Sequence, residues 1–365
     1  MRKIGFIVLL LVVCTFAMTS CSEEKNQLSK DLSDSDSCQH SFDAWSTVLE
    51  PTCGADGQEV RVCTSCKYKE QRTLRAKGEH VYVAPGKCKI CSATMNKDFI
   101  FNLNTDGLSY SFSYNGNDST VVVPDNYNEL PVTQLSDSAF EWCAELKKVQ
   151  LPNSIERIGN SAFKSCQKLT SVNTPENLST IGEEAFAGCS SLTSFYIPNS
   201  ITRIEYYTFS DCGLKSIILP DTLTYIGESA FTGCFNFTTL KIPASVTEIG
   251  EYAFSACRAL SEIEIENNTK LTTISDGVFS TGASLKKIIV GEGVEIIEFD
   301  GFGSHPVLTS VTLPSTLKKI GEKAFYNSGN TLNISYNGTS EEWNGIEFGK
   351  HWTGSAVNVR LNFLK

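Results

Sequence analysis

The chain has 365 residues, of which 41% are hydrophobic and 20% charged, a folded-protein composition in a chain too long for one small core. Its net charge of −10 is uneven: 13 basic and 11 acidic residues precede Asp98, and 18 basic and 30 acidic residues follow from Asp98 onward. A body that acidic repels a phosphate backbone, which argues against nucleic acid as a partner.

The N-terminus opens with Arg2 and Lys3 and an apolar run from Ile4 to Ala17. That run is too short to span a bilayer, and a charged start with a short apolar centre reads as a secretion signal over residues 1–20. Thr19 and Ser20 followed by Cys21 resemble the lipobox of bacterial lipoproteins. The resemblance implies that Cys21 becomes an acylated N-terminus, so that the membrane is met only through a lipid anchor. Residues 21–37 carry no apolar pattern and are expected to form a flexible tether. The acidic "SEEKN" after the cysteine resembles a marker of export to the bacterial outer surface, which implies an outer-membrane or cell-surface location.

Residues 38–97 concentrate cysteine and histidine: Cys38, His40, Cys53, Cys63, Cys66, His80, Cys88 and Cys91. The two C-x-x-C pairs are 21 residues apart, close to a zinc-ribbon spacing. Zinc takes four sulfur or nitrogen ligands in structural sites, so these eight could fill two sites, with the partition open. Three disulfides are the alternative in an exported block. A redox pair is a third, without the βαβ surroundings it wants. "PTCGADGQEVRVCTSCKYKE" and "KGEH" also resemble small Cys/His modules that precede repeat domains in bacterial surface proteins. Either cross-link would staple a segment with too few apolar residues to fold alone.

From Asp98 the chain repeats itself. Phe140, Phe163, Phe186, Phe209, Phe231, Phe254, Phe279, Phe302 and Phe325 are 22 to 25 residues apart. Upstream of most stands a "Φ-x-x-I-G" element such as "VTEIG", and downstream "L-x-x-I-x-L-P" such as "LTSVTLP". The L-x-x-L-x-L spacing at this period belongs to leucine-rich repeats. In "LTSVTLP" Leu308, Val311 and Leu313 point inward, and the strand should pair with its neighbours at about 4.8 Å. The "VTEIG" element reads as a second short strand, and "EYAFSAC" as about one helical turn that drops its Phe inward. No rung buries its own apolar face; stacking buries all of them. The cysteine three residues after most of these phenylalanines should pack as a small apolar residue with a free thiol. Equivalent side chains on parallel rungs point the same way, which disfavours disulfides.

The repeat "SAF…C..L..V.LP.S…IG" resembles the BspA-like, Treponema-type leucine-rich repeat of bacterial surface proteins. The resemblance implies a curved right-handed solenoid over residues 98–365, closed by a hairpin-like cap at 98–139 and a C-terminal cap at 330–365 with Trp343 over the last rung. Two departures stand out: Thr174 replaces the last apolar residue of its strand, and the rung after Cys257 has two extra residues and should bulge. Members of the family are implicated in adhesion to host matrix proteins, cells or other bacteria, so the resemblance implies a protein ligand.

Such a stack presents one continuous sheet of outward residues. Tyr196, Ile218 and Ile289 are its larger side chains, with Lys148, Lys241 and Lys287 as cationic neighbours, and these six are the candidate ligand face. No G-x-S-x-G, H-E-x-x-H or P-loop occurs, so no catalytic residue is assigned and the chain reads as a non-enzyme. His305 and Cys257 lie two rungs apart, too far for a dyad. The N-x-[ST] sequons, such as Asn337-Gly338-Thr339, read as turn chemistry. A surface glycan-capture protein and a periplasmic scaffold are the alternatives to an adhesin; glycan capture wants rows of exposed aromatics, and the outward face offers Tyr196.

Overall fold

The computed structural model describes residues 41–49, 57–64, 69–74, 81–83, 87–88, 95–354 and 358–365. Its contacts divide the chain into Met1–Lys77 and Gly78–Lys365, so the Cys/His segment 38–97 spans this division. The first unit holds an antiparallel sheet of Ser46–Leu49, Gly57–Val62 and Lys69–Leu74. Arg61 lies over the rings of Phe42 and Trp45, at 4.3 and 4.7 Å, and Arg72 over Trp45 at 4.3 Å. These cation–π contacts and the Arg61–Glu70 and Arg72–Glu59 ion pairs tie the sheet across its strands.

The second unit is a parallel β-solenoid. Most rungs contribute two short strands that pair in register with a neighbouring rung. The first ladder follows the "L-x-x-I-x-L" element: Thr239–Ile242, Glu262–Ile265, Lys287–Ile289, Ser310–Leu313, Thr331–Tyr336 and Asn358–Phe363 form one six-stranded parallel sheet. In Thr239–Ile242 burial alternates residue by residue, the period-two signature of a strand with one face inward. The second ladder follows "Φ-x-x-I-G", for example Tyr225–Ile226 beside Glu248–Ile249, as the sequence predicts.

The third corner differs from expectation. The segment around each Phe forms successive turns, not a helical turn. The residues two before and two after the Phe have left-handed backbones: Ser161 (φ 53°) and Ser165 (φ 61°) around Phe163, Tyr252 (φ 57°) and Ala256 (φ 58°) around Phe254. Left-handed residues cannot continue an α-helix. They swing alternate peptide planes along the stack, so Ser161, Phe163 and Ser165 donate their N–H groups to Glu183, Ala185 and Ala187 of the next rung, at 2.8, 2.7 and 2.7 Å. A helical turn would direct those groups along its own axis and leave the rungs unjoined here.

Inside this corner the nine phenylalanines form one column. All eight successive ring pairs are stacked, with centroids from 5.0 Å (Phe140–Phe163) to 5.6 Å (Phe254–Phe279) and planes within 12° of parallel. Beside the column run Cys143, Cys166, Cys189, Cys212, Cys234 and Cys257 as free thiols. They do more than fill space: Sγ of Cys166 lies 3.0 Å from the Phe140 carbonyl oxygen, and Cys189, Cys212, Cys234 and Cys257 repeat the contact at 3.1 to 3.4 Å. The cysteines pack in the core as free thiols, as expected, and add this carbonyl contact. Where Gly282 takes the cysteine position, the His305 ring of the next rung fills the space a Cβ would occupy, and its Nε2 lies 2.5 Å from the Phe279 carbonyl oxygen.

Aromatic residues cover both ends of the phenylalanine column. A hairpin of Phe99–Leu103 and Tyr110–Tyr114 covers the N-terminal end, with Phe112 and Tyr114 against Phe140. At the other end Trp352 meets the last ring, Phe325, edge-on at 6.3 Å, while Trp343 packs on Tyr336 at 5.3 Å. Thr339 caps the short helix Ser340–Asn344 in a reciprocal pair with Glu342, so the sequon threonine serves helix capping.

Candidate ligand-binding face

The outward residues of the first ladder form columns set by strand register. Lys241, Glu264, Ile289, Thr312 and Ser335 stand opposite one another on consecutive strands, as do Thr239, Glu262, Lys287, Ser310 and Asn333. Tyr196 and Ile218 occupy the equivalent places two rungs and one rung before Lys241. Tyr196 is 65% and Ile218 82% exposed; Lys148, Lys241 and Lys287 are exposed and Ile289 is half-buried. The face therefore holds all six candidate residues, and Lys148 stands apart at the start of the ladder, opposite Thr120 and Ser171.

Charge on this face is locally matched. Lys241 Nζ is 2.7 Å from Glu266 and 4.0 Å from Glu264, and Lys287 Nζ is 2.7 Å from Glu262. The hydrogen bond to Glu266 raises the Lys241 pKa, and the same bond lowers that of Glu266. Pairs this exposed add little to stability; they order the side chains that a partner would meet. Beside them Ile217, Ile218, Leu219, Asp221, Lys241, Pro243 and Glu266 border a hollow of about 250 Å³.

The first ladder is interrupted here. Ser171–Val172 ends one sheet and Thr239–Ile242 begins the next. Among the described residues, the N–H groups of Ser194–Ile197 and Ser216–Leu219 have no hydrogen-bond partner. Two local departures coincide with the break. The Asn173 side chain takes the place of a strand, accepting from the Leu151 N–H at 2.6 Å and donating to its carbonyl at 2.8 Å. In the next rung Phe195 enters an inward column otherwise held by aliphatics such as Val149, Val172 and Leu240. Its ring packs beside the stacked pair Phe186 and Phe209, at 4.9 and 5.5 Å and tilted 49° from both. The rung with two extra residues interrupts the second ladder likewise, between Glu248–Ile249 and Thr273–Ile274.

Of the eight candidate metal ligands, Cys38, His40, Cys53, Cys66, His80 and Cys91 lie outside the described residues, as does Cys21. Cys63 is buried and bridges to Phe42; Cys88 lies in the strand Lys87–Cys88, paired antiparallel with Val81–Val83. Among the described residues no three His, Cys, Asp or Glu side chains are placed to share a metal ion.

What the outward-strand pattern misses is the turn side. Trp142, Tyr206, Tyr252, Phe299 and Tyr326 are exposed there, from 39% to 67%. Aligning every position of the repeat, not only the strand, would have found them.

No curated protein matches the chain. Among solved structures it is similar to a leucine-rich repeat protein of T. pallidum, with 27% identity over 59% of this chain and 90% of that one and a TM-score of 0.42. It is also similar to a leucine rich cell surface protein of Faecalibacterium prausnitzii (23% identity, 72% and 98% covered, TM-score 0.29). A leucine-rich repeat protein of Bacteroides ovatus is a third (18% identity, 74% and 100% covered, TM-score 0.38). The family described as BspA type leucine rich repeat region matches in six copies, over residues 108–237, 202–332 and 272–348, and the chain belongs to that family.

Proposed function

We propose that this protein is a lipid-anchored, non-enzymatic binding protein of the bacterial cell surface, and that its first-ladder face holds a protein ligand of the host matrix, of a host cell or of another bacterium. The observation that carries the reading is the run of outward residues Tyr196, Ile218, Lys241, Glu264 and Ile289 on consecutive rungs of a BspA-type repeat. Two of them are large, exposed and apolar, the kind of side chain that anchors an interface when a partner covers it. Attachment is assigned to lipid on Cys21, held by more than one acyl chain. Among the described residues no helix is long and apolar enough to cross a membrane. Zinc or disulfides in residues 38–91 would stiffen the segment between anchor and repeat.

The test is binding of the full chain to immobilised matrix proteins, beside a variant carrying Tyr196→Ala and Ile218→Ser. Saturable binding that the variant loses supports the reading. Equal binding by both, or none by either, removes it. Protease treatment of intact cells separates a surface location, where the repeat is cut, from a periplasmic one, where it is spared.

A further inference from the structure

A repeat supplies its own baseline, and departures from it mark positions under a separate demand. Three residues before the column Phe, seven of the nine rungs carry Asp, Asn or Glu; Phe299 is one of two exceptions. One residue after the Phe, the first two rungs carry Glu141 and Lys164 and the next six small residues from Ala187 to Gly303; Tyr326 is the one aromatic at this position. The two departures fall on consecutive rungs. Phe299, Asp300, Ser304, Lys323, Tyr326 and His351 line an open cleft of about 510 Å³, within the usual range for small-ligand sites.

The cleft's walls are fixed in advance. Asp300, Ser304, Lys323 and His351 all have left-handed backbones, with φ of 55°, 63°, 58° and 52°. The first three donate their N–H groups to the next rung, to Glu322, Tyr326 and Lys350 at 3.1, 2.7 and 3.3 Å. Phe299 and Tyr326 are 41% and 44% exposed, and Lys323 Nζ lies 5.3 Å from the Phe299 ring centre.

We propose that this cleft is a saccharide-binding site that takes a neutral hexose or hexosamine unit. A sugar ring has apolar C–H faces and hydroxyls that both donate and accept. The cleft offers two ring surfaces, an acceptor in Asp300, donors in Lys323 and His351, and a Ser304 hydroxyl that does either. Asp300 and Lys323 offset each other's charge, so nothing in the lining selects a carboxylated sugar. The site lies on the turn side, on residues that the protein-binding reading of the strand face does not use, and the two stand or fall separately.

Saturation-transfer-difference NMR on the full chain with N-acetylglucosamine, galactose and glucuronate tests this. Transfer to at least one neutral sugar is expected, lost in Phe299→Ala and in Tyr326→Ala and retained in Ile218→Ser. Because both rings are partly exposed, thermal melts should report whether these variants stay folded. Asp300→Asn, which tolerates the left-handed backbone, should weaken binding with the fold intact. The proposal is overturned by no transfer to either neutral sugar, by transfer to glucuronate alone, by transfer that survives loss of either ring, or by transfer lost in Ile218→Ser.

Discussion

The thiol of Cys166 donates to the carbonyl oxygen of Phe140 one rung earlier, at 3.0 Å. That carbonyl already accepts the N–H of Cys143 at 3.1 Å within its own rung. The cysteine supplies a second, weak donor to the carbonyl's other lone pair, on the side facing the apolar core. Burial pushes the Cys166, Cys212 and Cys234 thiols well above the ordinary range, and Cys257 to about 12.

These thiols should therefore be unreactive while the protein is folded. With a disulfide reagent at pH 8, Cys143, which is half-buried, is expected to react first among the six, and Cys166 to Cys257 only on unfolding. Rapid native labelling of Cys212 would show that the column is open.

Phe254→Ala should cost about 3–5 kcal/mol, as a large-to-small change in a sealed core. Phe254 is 1% exposed and stacks on Phe231 and Phe279 at 5.1 and 5.6 Å. Chemical denaturation measures the loss. An unchanged midpoint would contradict the placement of this ring between its neighbours.

His305 predicts a pH dependence. Burial, partly offset by the hydrogen bond to the Phe279 carbonyl, pushes its pKa down from 6.5 to about 4. The unfolded chain then binds a proton that the folded one does not between those values. This contribution to stability is complete above pH 6.5 and is lost as pH falls towards 4, amounting to about 3 kcal/mol across the window. His305→Gln cannot titrate, so its stability difference from the parent protein should change over this pH range and be constant above it. A difference that stays constant throughout would show that His305 titrates normally.

The interruption of the first ladder should be visible in amide exchange. Ser194–Ile197 and Ser216–Leu219, without hydrogen-bond partners among the described residues, should exchange much faster than Leu240 and Ile242 in the continuous sheet. Equal protection would mean that the strands close in solution.

Much of the fold was legible because its signals are periodic. The spacing of Phe140 to Phe325 sets the rung length, and the "VTEIG" and "LTSVTLP" elements mark both ladders. The corner was not legible as turns because glycine marks only a few of its left-handed positions, Gly188, Gly233 and Gly277, while others carry Ser161, Glu184, Tyr207 and Lys323. The ladder break was hidden because Phe195 and Val172 are equally apolar to a pattern reading, while their volumes differ. The candidate face followed directly from strand alternation. The cleft around Phe299 and Tyr326 did not, because its residues are scattered over more than fifty positions and only the turns bring them together.

The turn ladder also has an electrical consequence. Its N–H groups all donate toward the C-terminal neighbour, unlike a parallel β-ladder, in which both directions alternate. Carbonyls therefore face one end of the stack and amides the other, and Tyr114 must supply a donor to Ala139 at the first end while Lys350 and Trp352 supply acceptors at the last. A rung could be gained or lost anywhere inside without upsetting this polarity, so the solenoid can change length by whole rungs. Its two end pieces could never be exchanged.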